Sequence, residues 1–224
     1  MRLGLLLGVA MSVFGMSPAA SADDPVFYTV TYVEVVPPST TEGAGALRQY
    51  GEASRRDPGA RRVEVLQRTD RPNHFAVLAT WNDQKAFETH RAAAAMTELR
   101  DKLQAILAGP NDERLHQGLS VAPPVTGAGT VWVVTHVDVV PPRKDDGVAL
   151  LKQLAEDSRK DAGNLRFDVV QQATRPNHFT VVEVWTDRKA FDAHGMAAHT
   201  RRFRERLAPM SGSLYDERLY TTLK

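Results

Sequence analysis

Cysteine is absent from this chain of 224 residues. Disulfides, thiolate catalysis and thiolate metal ligation are therefore excluded, and the fold must stand on packing alone. An excess of one charge is lacking too. The 28 basic and 27 acidic residues leave a formal net charge of +1, which argues against a dominant nucleic-acid footprint. The densest basic cluster, Arg201, Arg202, Arg204 and Arg206, reads as a solvated helix face. No G-x-G-x-x-G and no G-x-x-x-x-G-K-[ST] occurs, so a nicotinamide, flavin or nucleoside-triphosphate fingerprint is missing. H-E-x-x-H and G-x-S-x-G are missing as well, which leaves zinc-peptidase and serine-hydrolase chemistry without an anchor.

Long apolar runs are scarce apart from the start of the chain. Arg2 precedes the apolar stretch Leu3–Met16, and Ala20-Ser21-Ala22 follows it. That pattern predicts a secretory signal peptide over residues 1–22 and a periplasmic or secreted protein. The run is short for a bilayer span. No cysteine follows it, so no lipid anchor is expected, and no membrane attachment remains after cleavage. One of the 28 basic residues, Arg2, goes with the leader, and the rest balances the acidic residues.

What the chain does contain is a repeat. "TYVEVVPP" at Thr31–Pro38 returns as "THVDVVPP" at Thr135–Pro142, "RPNHF" at Arg71–Phe75 returns at Arg175–Phe179, and "DERL" at Asp112–Leu115 returns at Asp216–Leu219. The offset is constant, and residues 26–120 align with 130–224 without a gap. Residues 121–129, "VAPPVTGAG", have the composition of a linker. Two homologous domains share the chain, and each should carry one copy of any site.

Each copy reads as β-α-β-β-α-β. Val26–Val36 is rich in Val, Tyr and Thr and ends at Pro37-Pro38, as a strand does. Leu47, Tyr50 and Ala53 recur at helical spacing within Gly43–Arg56. Strands are expected over Arg61–Arg68, Phe75–Trp81 and Asp112–Leu119. Asp83 and Asp187 are placed to cap a helix running through His90 to about Met96, and Leu99, Leu103 and Leu107 suggest one face of a further helix. The order is that of a ferredoxin-like α+β domain. One sheet face of each copy still needs cover, so the two sheets are expected to face each other about a pseudo-two-fold axis.

Within the repeat, W-x-D-x-K-A-F-x-x-H is kept twice: Trp81 with Phe87 and His90, and Trp185 with Phe191 and His194. The block reads either as core packing or as the wall of a cavity, with His90 and His194 as proton acceptors near neutral pH. On the first strand, Tyr28 and Tyr32 are matched by Trp132 and His136. His199 stands where the first half has Ala95. The second half gathers His136, His194 and His199 and, if one half alone is active, is the expected one. No motif spacing points to a metal.

This arrangement resembles the antibiotic biosynthesis monooxygenase family. The resemblance rests on the strand ending at Trp81 or Trp185, the R-P-N-H-F turn, and the Asp-capped helix with Phe and His. It implies two ferredoxin-like domains paired as a dimeric α/β barrel within one chain, with a further homodimer as an open option. It also implies a cofactor-independent monooxygenase that oxidises a quinol or anthrone with O2, with no metal or flavin. On that reading His90, His194 or His136 takes the substrate proton. Trp81, Trp185, Tyr28, Tyr32, Trp132, Phe87, Phe191 and His199 line the aromatic site. A haem-degrading branch of the family uses a first-strand Asn and a helix His. Here those places hold Thr31-Tyr32 or Thr135-His136, and Arg91 or Gly195. The alternative is a non-catalytic periplasmic module that binds a small aromatic ligand or haem.

Overall fold

The computed structural model describes residues 26–123 and 129–223. The segment read as a leader, and 124–128 of the segment read as a linker, lie outside them. The first half runs β1 (Phe27–Glu34), α1 (Thr40–Arg55), β2 (Ala60–Arg68), β3 (His74–Trp81), α2 (Gln84–Ala92), α3 (Ala94–Gln104) and β4 (Asp112–Ser120). The second runs β5 (Val131–Asp138), α4 (Lys144–Ser158), β6 (Asn164–Gln172), β7 (His178–Trp185), α5 (Arg188–Met196), α6 (Ala198–Leu207) and β8 (Asp216–Thr222). Both are ferredoxin-like β-α-β-β-α-β units.

Local chemistry explains most of these boundaries. The two prolines after β1 and β5 each start a short 3₁₀ turn, Pro37–Ser39 and Pro141–Arg143, that leads into the long helix. The Asp83 and Asp187 carboxylates accept from the N–H of Ala86 at 2.7 Å and of Ala190 at 2.8 Å, satisfying first-turn donors of α2 and α5. One boundary runs against propensity. Residues 92–95 are all alanine, the best helix former, yet Ala93 is extended at φ −63° and ψ 137°. The helix expected to reach Met96 therefore ends at Ala92, and α3 begins anew. The break lets His90 and Met96 both turn inward and be buried. Ala197 repeats it. Leu107 also departs from expectation: α3 stops at Gln104, and Leu107 instead bridges to Val35.

The eight strands close into one barrel in the order β1-β3-β2-β8-β5-β7-β6-β4. The halves meet edge to edge at two seams. One pairs Leu66, Gln67 and Arg68 of β2 with Thr222, Thr221 and Tyr220 of β8. The other runs from His116↔Gln172 to Ser120↔Val169 between β4 and β6. Closure leaves neither sheet with a free edge. The chain is thus an intrachain pseudo-dimeric α/β barrel.

Alternation along each strand sorts side chains to two faces. Inward-facing Val30, Leu66, Ala76, Leu78, Val134, Val182 and Tyr220 fill the barrel, with Tyr32 and Trp132 packed on them. Arg166 crosses between halves, pairing with Glu64 of the first and Asp168 of the second. The outward faces carry Phe27, Val33, Phe75 and Trp81 in one half and Val133, Val137, Phe179 and Trp185 in the other, each covered by its own helices. Among the described residues no helix is long and apolar enough to cross a membrane.

Candidate functional site

The sheet–helix interface of the first half does not close completely. A cleft of about 230 Å³ remains, and its lining includes Thr31 of β1, Tyr50 of α1, Phe87 of α2, Leu103 of α3, Asn111 just before β4 and Glu113 within it. Its walls mix apolar Val33, Leu47 and Phe87 with polar Thr31, Tyr50 and Asn111, and its charged groups are Arg91, Arg100 and Glu113. Arg91 pairs with Glu113 at 3.5 Å, and Arg100 is held by the Arg91 carbonyl at 2.7 Å.

Behind this cleft lies a short chain of polar groups. Tyr50 Oη is 3.3 Å from His90 Nε2, and His90 Nδ1 is 3.2 Å from the Asp57 carboxylate. Trp81 packs on the imidazole at a ring separation of 4.5 Å and donates its Nε1–H to Thr29 Oγ1 at 3.3 Å. Proton bookkeeping assigns the roles. Burial lowers the His90 pKa against the opposing pull of Asp57, so the ring is neutral near pH 7. Its single proton sits on Nδ1, facing the carboxylate, and Nε2 accepts. Ser54 Oγ is also 3.3 Å from Nε2, but its proton goes to the Tyr50 carbonyl at 2.7 Å. Tyr50 O–H is thus the donor to Nε2. Burial raises the Tyr50 pKa, with Glu113 adding to it and Arg100 and Arg91 opposing. The phenol keeps its proton until a stronger demand arises in the cleft.

The second half keeps the inner part of this arrangement and loses the outer part. His194 Nδ1 lies 2.8 Å from Asp161, and Trp185 stacks on the ring at 4.7 Å. Tyr50 is replaced by the buried Leu154. Asn111 is replaced by Tyr215, which packs on the second-half core and edge-on to Phe203 at 6.2 Å. Ala79 is replaced by Glu183, which accepts from Trp185 Nε1 at 2.9 Å. Burial pushes the Glu183 carboxyl up to about 8, so it is largely protonated at neutral pH.

The residues singled out from the sequence fall into three separate places. Trp81, Phe87 and His90 lie under the helices of the first half, and Trp185, Phe191, His194 and His199 under those of the second. Tyr28, Tyr32, Trp132 and His136 lie on the opposite, barrel-facing side. His136 therefore does not join His194, as the sequence reading supposed; strand β5 separates them. His136 Nε2 contacts His178 Nδ1 at 3.2 Å instead. The Tyr32 ring is flanked by Arg114 at 5.1 Å and Arg218 at 5.0 Å. His116, buried beside them, accepts at Nε2 from Thr180 at 3.1 Å and donates from Nδ1 to the Arg114 carbonyl at 3.0 Å. Burial pushes both His116 and His136 down to about 4. The first-strand aromatics thus pack in the barrel.

The sequence profile of the family described as antibiotic biosynthesis monooxygenase matches residues 26–102 and again 130–206. The chain belongs to the antibiotic biosynthesis monooxygenase family. An uncharacterized Synechocystis protein is 28% identical over 102 residues, 45% of this chain and 69% of that protein. YcnE of Bacillus subtilis, named as a candidate monooxygenase, is 26% identical over 68 residues, 30% of this chain and 72% of that protein. Among solved structures, a candidate monooxygenase from Fusobacterium nucleatum superposes with a TM-score of 0.79 at 17% identity, covering 92% of this chain and 94% of its own. An anthrone oxidase-like protein superposes at 0.70 with 13% identity and the same coverage. Identities this low carry the fold alone, and the shared fold spans nearly the whole chain. At family level the chain is a monooxygenase-like protein of the antibiotic biosynthesis monooxygenase fold.

The residues kept in both halves include Phe87, which lines the cleft, but not Tyr50, the polar group that links the cleft to His90. His90 is 2% exposed and reaches the cleft through Tyr50. Tyr50 was visible only as a member of an apolar helix face, and Leu154 in the other half made it look like core. The available signal was the mismatch itself: a phenol in one copy against an aliphatic side chain in the other.

Proposed function

We propose that the first-half cleft is the active site of a cofactor-independent monooxygenase that oxidises a small electron-rich aromatic, a quinol in preference to an anthrone, with O2. The observation that carries this reading is Tyr50 Oη at the cleft, 3.3 Å from a neutral His90 whose Nδ1 is held by Asp57. Such a line accepts a proton from a substrate hydroxyl through Tyr50 and stores it on His90. Asp57 holds the tautomer and stabilises the imidazolium, the part a carboxylate plays behind a catalytic His. Arg91 and Arg100 favour the phenolate that results. The volume of about 230 Å³ is below the roughly 300–1,000 Å³ of drug-sized ligand sites. That supports one ring over three.

The reaction balances with the substrate as sole reductant. The quinolate passes one electron to O2, and the resulting radical and superoxide combine at a ring carbon. The peroxide takes a proton back from the relay. The O–O bond then breaks with loss of the ring C–H proton, giving a hydroxyquinone and one water. Four electrons leave the quinol: two convert it to a quinone and two oxidise the C–H bond. The test is O2 uptake by metal-free protein on a panel of quinols and anthrones, with background autoxidation subtracted. Enzyme-dependent uptake lost in Tyr50→Phe supports the proposal. Saturable binding of the aromatic without uptake favours the non-catalytic module.

A further inference from the structure

The second half holds a constellation that the first half lacks and that the proposed oxidation does not use. Asp161, in the turn before β6, His194 of α5 and His199 of α6 bring one donor atom each to within 4.8 Å of one another. Asp161 Oδ2 is 2.8 Å from His194 Nδ1 and 3.1 Å from His199 Nε2. The turn is pinned by Gly163 at φ +83°, where an added Cβ would lie 2.6 Å from both Ala190 Cβ and Thr186 Oγ1. In the first half the same places hold Asp57, His90 and Ala95, so the third donor is missing.

We propose that Asp161, His194 and His199 form a binding site for one divalent first-row transition ion. Four observations converge on it. The donor set, two imidazoles and one carboxylate, suits zinc, iron, copper or nickel and not the oxygen-preferring calcium or magnesium. The spacing is close to what such an ion requires. Ligands held at about 2.0–2.1 Å in a tetrahedron stand roughly 3.4 Å apart, and the separations of 2.8 and 3.1 Å, with the third pair within 4.8 Å, reach that by side-chain rotations. His199 Nε2 is buried, and although 3.1 Å from the carboxylate it makes no aligned hydrogen bond. That nitrogen thus faces the Asp161 carboxylate without a formed hydrogen bond.

The fourth observation is outside the donor set. A metal-bound imidazole usually donates its other ring N–H to a carboxylate or carbonyl. Coordination through Nδ1 puts the His194 proton on Nε2; Glu183 Oε2 lies 3.9 Å from that atom, outside hydrogen-bond distance as the side chains stand, and accepts only after the ring shifts toward it. Glu183 is itself held by Trp185 at 2.9 Å, and the first half has only Ala79 in its place. Glu183 and His199 thus appear together in the half where the outer polar group, Tyr50, has been replaced by Leu154. A cleft of about 170 Å³, lined by His199 with Leu154, Asp157 and Phe203, reaches one of the three ligand residues. Because this site lies wholly in the second half, it stands or falls separately from the first-half oxidation.

The test uses the tag-free full chain, dialysed against chelator and titrated calorimetrically with Zn2+ alone. The expected result is one ion per chain and a melting temperature raised by Zn2+. His199→Ala, which installs the residue the first half already carries, should abolish both effects while keeping the far-ultraviolet circular dichroism. Glu183→Gln should weaken binding by about 10–100-fold. His90→Ala should bind as the unaltered chain does. Absence of a saturable one-ion site overturns the proposal. So does a His199→Ala chain that binds Zn2+ with unchanged affinity, whatever its melting temperature.

Discussion

Replacing Tyr50 by Phe isolates the proposed proton relay from the shape of the cleft. The ring stays, so the wall against Phe87 and Leu103 is preserved, and only the oxygen 3.3 Å from His90 Nε2 is removed. Two magnitudes follow. A positioned proton acceptor contributes about 10²–10⁴-fold to rate, and kcat should fall by that factor while the affinity for a bound quinol changes little. His90 Nε2, on a ring only 2% exposed, loses the donor that satisfied it. Ser54 cannot replace it without releasing the Tyr50 carbonyl. An unsatisfied buried acceptor costs about 1–3 kcal/mol, or roughly 2–12 °C in melting temperature for a chain of this size. Oxygen-electrode kinetics at saturating quinol and calorimetric melting measure the two effects. A variant that keeps kcat within about threefold of the unaltered chain refutes the relay. One that raises KM with kcat unchanged shows that Tyr50 only binds.

Three further outcomes follow from the same geometry. In a pH profile of kcat/KM, activity should appear as His90 loses its proton, at a pH below the ordinary 6.5 because burial depresses it; Asp57→Asn removes the partner that raises this pKa, so the limb should move to still lower pH as the rate falls by up to about 10⁴-fold. His116 is buried neutral and depressed to about 4, so its contribution is fully present above pH 6.5 and is lost as pH falls from 6.5 to 4, by up to ~3 kcal/mol; His116→Gln should reduce the slope of that stretch of a urea-stability-versus-pH curve, and the remainder, to which His136 contributes, should persist. Residues 26–120 expressed alone should form a dimer by light scattering, because β2 and β4 would each lose a pairing partner and Glu64 would turn from Arg166 to Arg62 of a second copy.

The repeat made the fold legible. Strand runs, proline stops and aspartate caps occur twice at one offset, and each reflects local chemistry that a sequence displays directly. The break at Ala93 was hidden, because nothing in a run of alanines opposes a helix; the burial of His90 and Met96 imposes it. The barrel-inward turn of Tyr32 and His136 followed from strand alternation, but which face met the helices depended on how two sheets closed. The candidate cleft was the least legible part. Shared residues such as Trp81, Trp185, Phe87 and Phe191 are the packing that both halves need. Function is proposed to lie in what differs: Tyr50 against Leu154, Asn111 against Tyr215, and Ala95 against His199. Duplication preserved the scaffold and left the copies free to diverge at the sheet–helix interface.

The most direct test of the central claim is the fate of labelled oxygen. Metal-free protein is incubated with a one-ring quinol under 18O2, and product and water are analysed by mass spectrometry. The account predicts one O2 consumed per quinol, one 18O atom retained in a hydroxyquinone and the other in water, at a rate at least about 10²-fold lower in Tyr50→Phe. A quinone without 18O, or equal rates in the two proteins, would contradict it.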